Sequence, residues 1–317
     1  MKNQAPLLLL LISFPVFIFS QQGPGGVGAT DGTGTLRYWI DANRGFVSTP
    51  TISWSDQSGK GVINTVSGNP VLSAAFLNNQ NFVTFNRNDG TDLVMSNATI
   101  NSVTYPQLDV YSVYYTDGTT STGGIWGEDN GNWDRFIFNE ANIGCGSSVS
   151  DGSWCTPVAG MFPANTAIIN RVRYKEDDPG GSNIQLNGST VFTFTANNGP
   201  QTSGNFAIAT IDIGGYALNG KIAEVIVFGS NRNNAEEIII NNYLSAKYNI
   251  ALAANDVYRQ DDPANMEQRR RQILQISLRA FRPDSIASGE PVNLILPEVQ
   301  SMLELLICNG ILRVFHL

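Results

Sequence analysis

The sequence predicts an all-β protein, an antiparallel sandwich closed by one C-terminal helix. Three observations lead there. Short runs rich in Val, Ile, Tyr and Phe recur along the chain with Gly, Asn and Asp turn signals between them. Clear helical spacing occurs only late in the main body, too late to supply the crossovers of a βαβ fold. At 317 residues, the chain is long enough for one large sandwich plus tails.

In chain order, residues 1–20 read as a secretory signal peptide. Lys2 supplies the positive end, Leu7 to Phe19 the apolar run, and Ser20 a small residue before cleavage. Pro15 interrupts that run, which is also short for a bilayer span. No later segment is long enough to cross a membrane, so the expected address is secreted or outer cell surface. Residues 21–35, GPGGVGATDGTGT after two glutamines, read as a flexible Gly-rich leader.

Strands are expected at Leu36–Asp41, Ile52–Trp54, Phe82–Phe85, Leu93–Met95, Leu108–Tyr115, Arg135–Phe138, Ala167–Tyr174, Asn183–Leu186, Val191–Thr195 and Phe206–Ile211. Alternation puts Leu108, Val110, Ser112 and Tyr114 on one face. Asn187-Gly188 between two of these runs marks a tight hairpin, because both central residues of a type I′ turn need positive φ. Asn219-Gly220 carries the same signal before the strand Lys221–Phe228, where Ile222, Glu224, Ile226 and Phe228 share one face and Ala223, Val225 and Val227 the other. Asn234 with Glu237 then gives a capping-box start. Ile239, Ile240, Tyr243, Leu244 and Tyr248 form one apolar stripe, and Asn249 can close the helix in the left-handed region. The stretch Cys145 to Asn165 reads as loop.

These segments carry a resemblance. "LRYWIDANRG" with "ISWSDQSGKG", the central "GIWGEDNGNWDRFIF", and "LNGKIAEVIVF" followed by a helix ending "YLSAKYNI" resemble the concanavalin A-like, laminin-G-like jelly-roll domains of secreted bacterial surface proteins. The resemblance covers residues 36–250 and implies two antiparallel sheets with one closing helix. It also marks Asp41 and Asp56 as hallmark positions, read here as structural. Asp56 before Gln57-Ser58-Gly59 suits an Asx turn.

Residues 251–317 differ in kind. Gly nearly vanishes, Arg269, Arg270 and Arg271 cluster, and the one histidine is His316. Two readings stay open for this tail: a helical extension, or a fragment or frameshifted end beginning near 262–266. Three cysteines are present. In an oxidising compartment Cys145 and Cys155 can bridge, stabilising a Gly/Ser-rich loop by about 3 kcal/mol in the chain-entropy model. Cys308 is left over.

The formal net charge of −8 argues against nucleic acid and anionic membranes as partners and leaves neutral glycans, other extracellular surface components or cations. A single penultimate histidine removes Ser-His-Asp and Cys-His catalysis and the usual zinc sites. Jelly-roll glucanases need two facing carboxylates, on alternating strand positions; no such string occurs. Glu224 reads as a solvent-facing or Arg-paired acid, not a catalyst.

The segment Trp126–Asp134 is the best functional candidate. Glu128, Asp129, Asn130 and Asp134 offer the hard oxygen ligands of a calcium site, although Asn and Asp also favour ion-free turns. Trp126, Trp133 and Trp154 offer aromatic faces for a sugar ring, with core burial as the alternative for Trp133. Trp39 and Trp54 are expected in the core. The expectation is a non-catalytic glycan-binding or adhesion module that calcium can assist, with a ligand-free structural spacer as the rival and a glycoside hydrolase as the weaker one.

Overall fold

The structure is a computed structural model. It describes residues 22–86, 92–117, 123–128, 135–138, 145–146 (backbone only), 163–196, 205–211 and 216–257. The chain divides into two compact units, Met1–Asp261 and Asp262–Leu317. The second unit, the signal peptide and Cys155 lie outside the described residues, and so does the test of the Cys145–Cys155 bridge.

The described residues of the first unit form an all-β sandwich with one α-helix. Its strands are β1 (Leu36–Asp41), β2 (Phe46–Val47), β3 (Ser53–Trp54), β4 (Asn64–Ser67), β5 (Val71–Leu77), β6 (Gln80–Phe85), β7 (Leu93–Ser96) and β8 (Gln107–Thr116). There follow β9 (Gly124–Glu128), β10 (Arg135–Phe138), β11 (Cys145–Gly146), β12 (Ala167–Lys175), β13 (Ser182–Leu186), β14 (Ser189–Phe194), β15 (Ala207–Ile208) and β16 (Gly220–Phe228). The helix α1 is Asn234–Tyr248. One sheet runs β14-β13-β12-β8-β16-β6-β5, with β1 also on β16; the other runs β11-β10-β9-β15-β7-β4. All the described ladder pairings are antiparallel.

The core has two layers because the large sheet is buried on both faces. Between the sheets lie Leu108, Val110, Tyr114, Val225, Val227, Trp126, Ile137 and Ile208. On the outer face, Ile240, Leu244 and Tyr248 of α1 cover Phe82, Tyr111, Val113, Ile169, Ile226 and Phe228. This explains why β8 and β16 are apolar almost throughout. Trp39 and Trp54 are buried as expected.

Four local expectations change. The strand β16 carries a bulge between Ile222 and Glu224, so Ile222 joins Val225 and Val227 between the sheets while Ala223 joins the helix side. One edge of β16 has to serve two neighbours: Gly220–Ile222 pair with β6, and Glu224–Phe228 with β1. Asn187 and Gly188 take φ of 48° and 77°, as a type I′ turn requires, but Asn219 and Gly220 do not take positive φ. Gly220 is needed for space instead, since a Cβ there would lie 2.4 Å from the Tyr115 carbonyl oxygen. The strand expected over Phe206–Ile211 shortens to Ala207–Ile208, because Ala209 turns to φ 63°.

The capping box uses Asn233 and Glu236, one residue before the expected pair. Asn249 closes the helix at φ 53°, ψ 46°. The described part of residues 21–35, the expected leader, lies against the helix. Pro24 and Val27 are buried, and Gly25 sits at φ 63° where a Cβ would come within 2.9 Å of the Tyr243 Cβ. Glycine lets this segment lie directly on α1. Asp56 forms the expected Asx turn, accepting from Ser58 N at 3.0 Å and also from Trp39 N at 2.9 Å.

Candidate functional site

The expected rim loop is framed by β9 and β10, which pair with Glu128 opposite Arg135. Both side chains turn inward and are fully buried. The Glu128 carboxylate accepts from Thr99 Oγ1 at 2.7 Å and 2.9 Å and from Ile100 N. Arg135 donates to the Ile100 carbonyl at 2.7 Å and pairs with Glu176 at 2.5 Å, its guanidinium 4.6 Å from the Tyr174 ring centroid. Burial drives the Tyr174 hydroxyl well above its ordinary pKa, so it stays neutral beside this pair.

Glu128 is therefore a structural acid that ties the β9 end to the segment before β8. It does not fit a calcium ion at the rim, because its oxygens face buried donors rather than solvent. Asp129, Asn130 and Asp134 lie outside the described residues. Trp126 is 0% exposed, packed 6.2 Å from Phe206 in the interior, so it is not a sugar platform. The Gly-rich surroundings suggested a loop, but Trp126 sits on β9 with its side chain between the sheets. Trp133 and Trp154 lie outside the described residues.

Glu224 also departs from expectation. It is buried beneath α1, where Trp39 Nε1 at 2.7 Å, Tyr248 OH at 2.9 Å, Tyr243 OH at 3.1 Å and Lys247 Nζ at 2.8 Å all donate to it. Desolvation is the largest influence and raises its pKa, against the opposing effect of Lys247. Asp41 shares Lys247 at 2.7 Å. Two carboxylates thus approach one another, but with a lysine between them and no open cleft. This is not the arrangement that hydrolyses a glycoside.

The outer face of the large sheet offers a different surface. Beside α1, the register aligns Val71, Thr84, Lys221, Tyr115 and Ala167 in one row across β5, β6, β16, β8 and β12. Tyr115 and Ala167 pack partly against the cluster that includes α1, whereas Val71, at the far end of the row, is exposed. Val71 is 61% exposed and Phe76 37% exposed. Phe76 reaches the row because β5 is irregular between Ser73 and Leu77, with Ala75 at φ 49°. Its ring meets Tyr115 edge-on at 5.2 Å and Phe82 at 5.0 Å. The Lys221 ammonium lies 5.0 Å from the Phe76 centroid and 5.5 Å from that of Tyr115. Ser73 and Thr84 hydroxyls share a 2.6 Å hydrogen bond on the same strip.

Aromatic faces, a cation and hydroxyls thus stand together on paired strands. Sequence reasoning named Tyr115 and Lys221 only as strand ends and passed over Phe76. The alternation of Val71 and Ser73 with Phe82 and Thr84 was the available signal; the irregular β5 backbone hid Phe76. Among the described residues, no group of three or more His, Cys, Asp or Glu could hold a metal ion, and no helix is long and apolar enough to cross a membrane.

No family model matches the chain. No curated protein matches it either. Solved structures do. Domain 4 of AbnA, a GH43 extracellular arabinanase from Geobacillus stearothermophilus in complex with arabinotriose, matches at 16% identity over 64% of this chain and 96% of its own, with a TM-score of 0.45. The binding domain of botulinum neurotoxin DC in complex with SialylT matches at 13% identity over 66% of this chain and 52% of its own, with a TM-score of 0.49. Trypanosoma rangeli sialidase with the inhibitor DANA matches at 11% identity over 67% of this chain and 33% of its own, with a TM-score of 0.44. The chain spans about half the length of the botulinum neurotoxin chains it matches.

Proposed function

We propose that this chain is a non-catalytic carbohydrate-binding module of a secreted or surface protein. What supports the reading is the partly exposed strip around Phe76, Tyr115 and Lys221. A sugar ring presents axial C–H groups that pack on an aromatic face and hydroxyls that hydrogen-bond at its edge. Tyr115 and Lys221 stand on strands paired on both sides, which hold them at little ordering cost, while Phe76 comes from the edge strand β5. The buried placement of Glu128 and Glu224 argues for binding rather than hydrolysis, since neither offers a carboxylate to a substrate.

A glycan array probed with the full chain, with and without calcium, tests this. Binding that is lost in Phe76→Ala and Lys221→Ala but kept in Trp133→Ala and Trp154→Ala supports the strip. Loss in the two Trp variants alone moves the site to the rim loops. Binding that disappears on calcium removal brings Asp129, Asn130 and Asp134 into the site. A chain that binds no glycan in either condition is a structural spacer.

A further inference from the structure

We propose that Lys247 and Asp41 form an intramolecular isopeptide bond, with Glu224 as the proton carrier. The inference rests on the geometry of this one cluster and not on the carbohydrate reading. Lys247 lies in the last turn of α1, Asp41 at the end of β1 and Glu224 on β16. The side chains of Asp41 and Glu224 are 0% exposed and that of Lys247 14%. The Lys247 nitrogen touches one oxygen of each acid, Asp41 Oδ2 at 2.7 Å and Glu224 Oε2 at 2.8 Å.

The two Asp41 oxygens are held differently. Oδ1 accepts from Asn43 N at 2.9 Å and Asn43 Nδ2 at 3.0 Å. Oδ2 faces Lys247, with Arg44 Nε 3.7 Å away. Donors fixed on Oδ1 stabilise charge that develops there when the carbon is attacked. Oδ2 is then the oxygen that leaves. Glu224 is fixed by Trp39, Tyr243 and Tyr248, and burial, by raising its pKa, makes its carboxylate a better acceptor of the lysine proton.

The step balances without a co-reactant. Glu224 takes one proton from the Lys247 ammonium, leaving a neutral amine. The Nζ lone pair attacks Asp41 Cγ, and the Cγ–Oδ2 bond breaks. The departing oxygen collects the proton held by Glu224 and a second one from Nζ, and leaves as water. An ammonium and a carboxylate become a neutral amide, and Glu224 ends as it began. Two effects favour the reaction here. Burying a charged pair is costly even when it is matched, and the product removes that pair. Holding the reactants in contact replaces a bimolecular encounter with an intramolecular one.

The bond would join β1 to the closing helix, two segments at opposite ends of the sandwich sequence. Peptide mapping of the purified full chain by mass spectrometry tests it. The expected result is a branched peptide containing Asp41 and Lys247, lighter than the sum of its two parts by one water, with Lys247 resistant to trypsin. Separate linear peptides at full mass from the folded wild type overturn the proposal. Lys247→Arg should yield only linear peptides. Asp41→Asn should yield the same branched peptide, with ammonia leaving in place of water. Glu224→Gln, checked for folding by circular dichroism, should remain unlinked; a branched peptide in that variant overturns the role of Glu224.

Discussion

Replacing Glu128 by Gln separates the two roles an acid at the end of β9 could have. In the structure its carboxylate accepts from the half-buried Thr99 hydroxyl and from the buried Ile100 amide. Gln keeps the shape and one acceptor, but turns an NH2 group toward one of those donors. A hydrogen bond to a charged group contributes about 1.5–3 kcal/mol, and an orphaned buried donor costs about 1–3 kcal/mol. The two overlap in part, so a loss of about 2–4 kcal/mol is expected. For a domain of this size each kcal/mol moves the melting temperature by roughly 2–4 °C. Urea unfolding of wild type and Glu128→Gln, followed by tryptophan fluorescence, measures it. The same pair of curves in calcium and in EDTA decides the role. A structural acid gives the same loss in both buffers. A loss below about 1 kcal/mol, or one present in calcium and absent in EDTA, would refute the reasoning.

Two further outcomes follow from the buried charges. Asp109 takes a bidentate pair from Arg173, at 2.9 Å and 2.8 Å, and the Arg232 amide at 2.7 Å; Asp109→Asn should destabilise by about 3–5 kcal/mol, as when one partner of a buried pair is removed, and the loss should persist in 1 M salt, where Debye screening reaches only about 3 Å, so a loss that vanishes there contradicts the burial. Glu224 has its carboxyl pKa raised from 4.5 by desolvation, so the native state binds its proton more tightly than the unfolded chain does; the stability it contributes is full below about pH 4.5 and is lost as pH rises through the raised value. The urea midpoint of wild type, relative to that of Glu224→Gln, should therefore fall as pH rises from 4 to 8, and a difference that stays flat or grows counts against the raised value.

The strands were legible because their signals are local. Alternation in β8 and the Asn187-Gly188 turn depend on neighbouring residues only. What sequence could not show was which second surface each strand meets. Glu224 follows the alternation with Ile226 and Phe228, and a half-solvated sheet would leave it in water. A helix covers that face instead, and Lys247 comes from that helix. The bulge after Ile222 was equally hidden, since it lies in the pairing of β16 with β8, two strands far apart in sequence. Trp126 was misplaced because its flanking glycines suggest a loop; those glycines instead make room in the sheet, where a Cβ at Gly127 would meet the Phe136 Cβ at 2.7 Å.

The capping box shows how tertiary demands settle a local choice. Asn233 with Glu236 and Asn234 with Glu237 are overlapping boxes, equal by spacing. Glu237 is drawn away by Arg171 and Arg173, both at 3.3 Å, and by Gln185 at 2.5 Å. That leaves Glu236 to close on the Asn233 amide at 3.1 Å. The helix therefore starts where its second acid can reach the arginines of β12. The same contact fixes the rotation that sends Tyr243, Lys247 and Tyr248 toward Glu224. Arginines on β12 thus hold an acid at one end of α1, and carboxylates on β1 and β16 receive the lysine at the other.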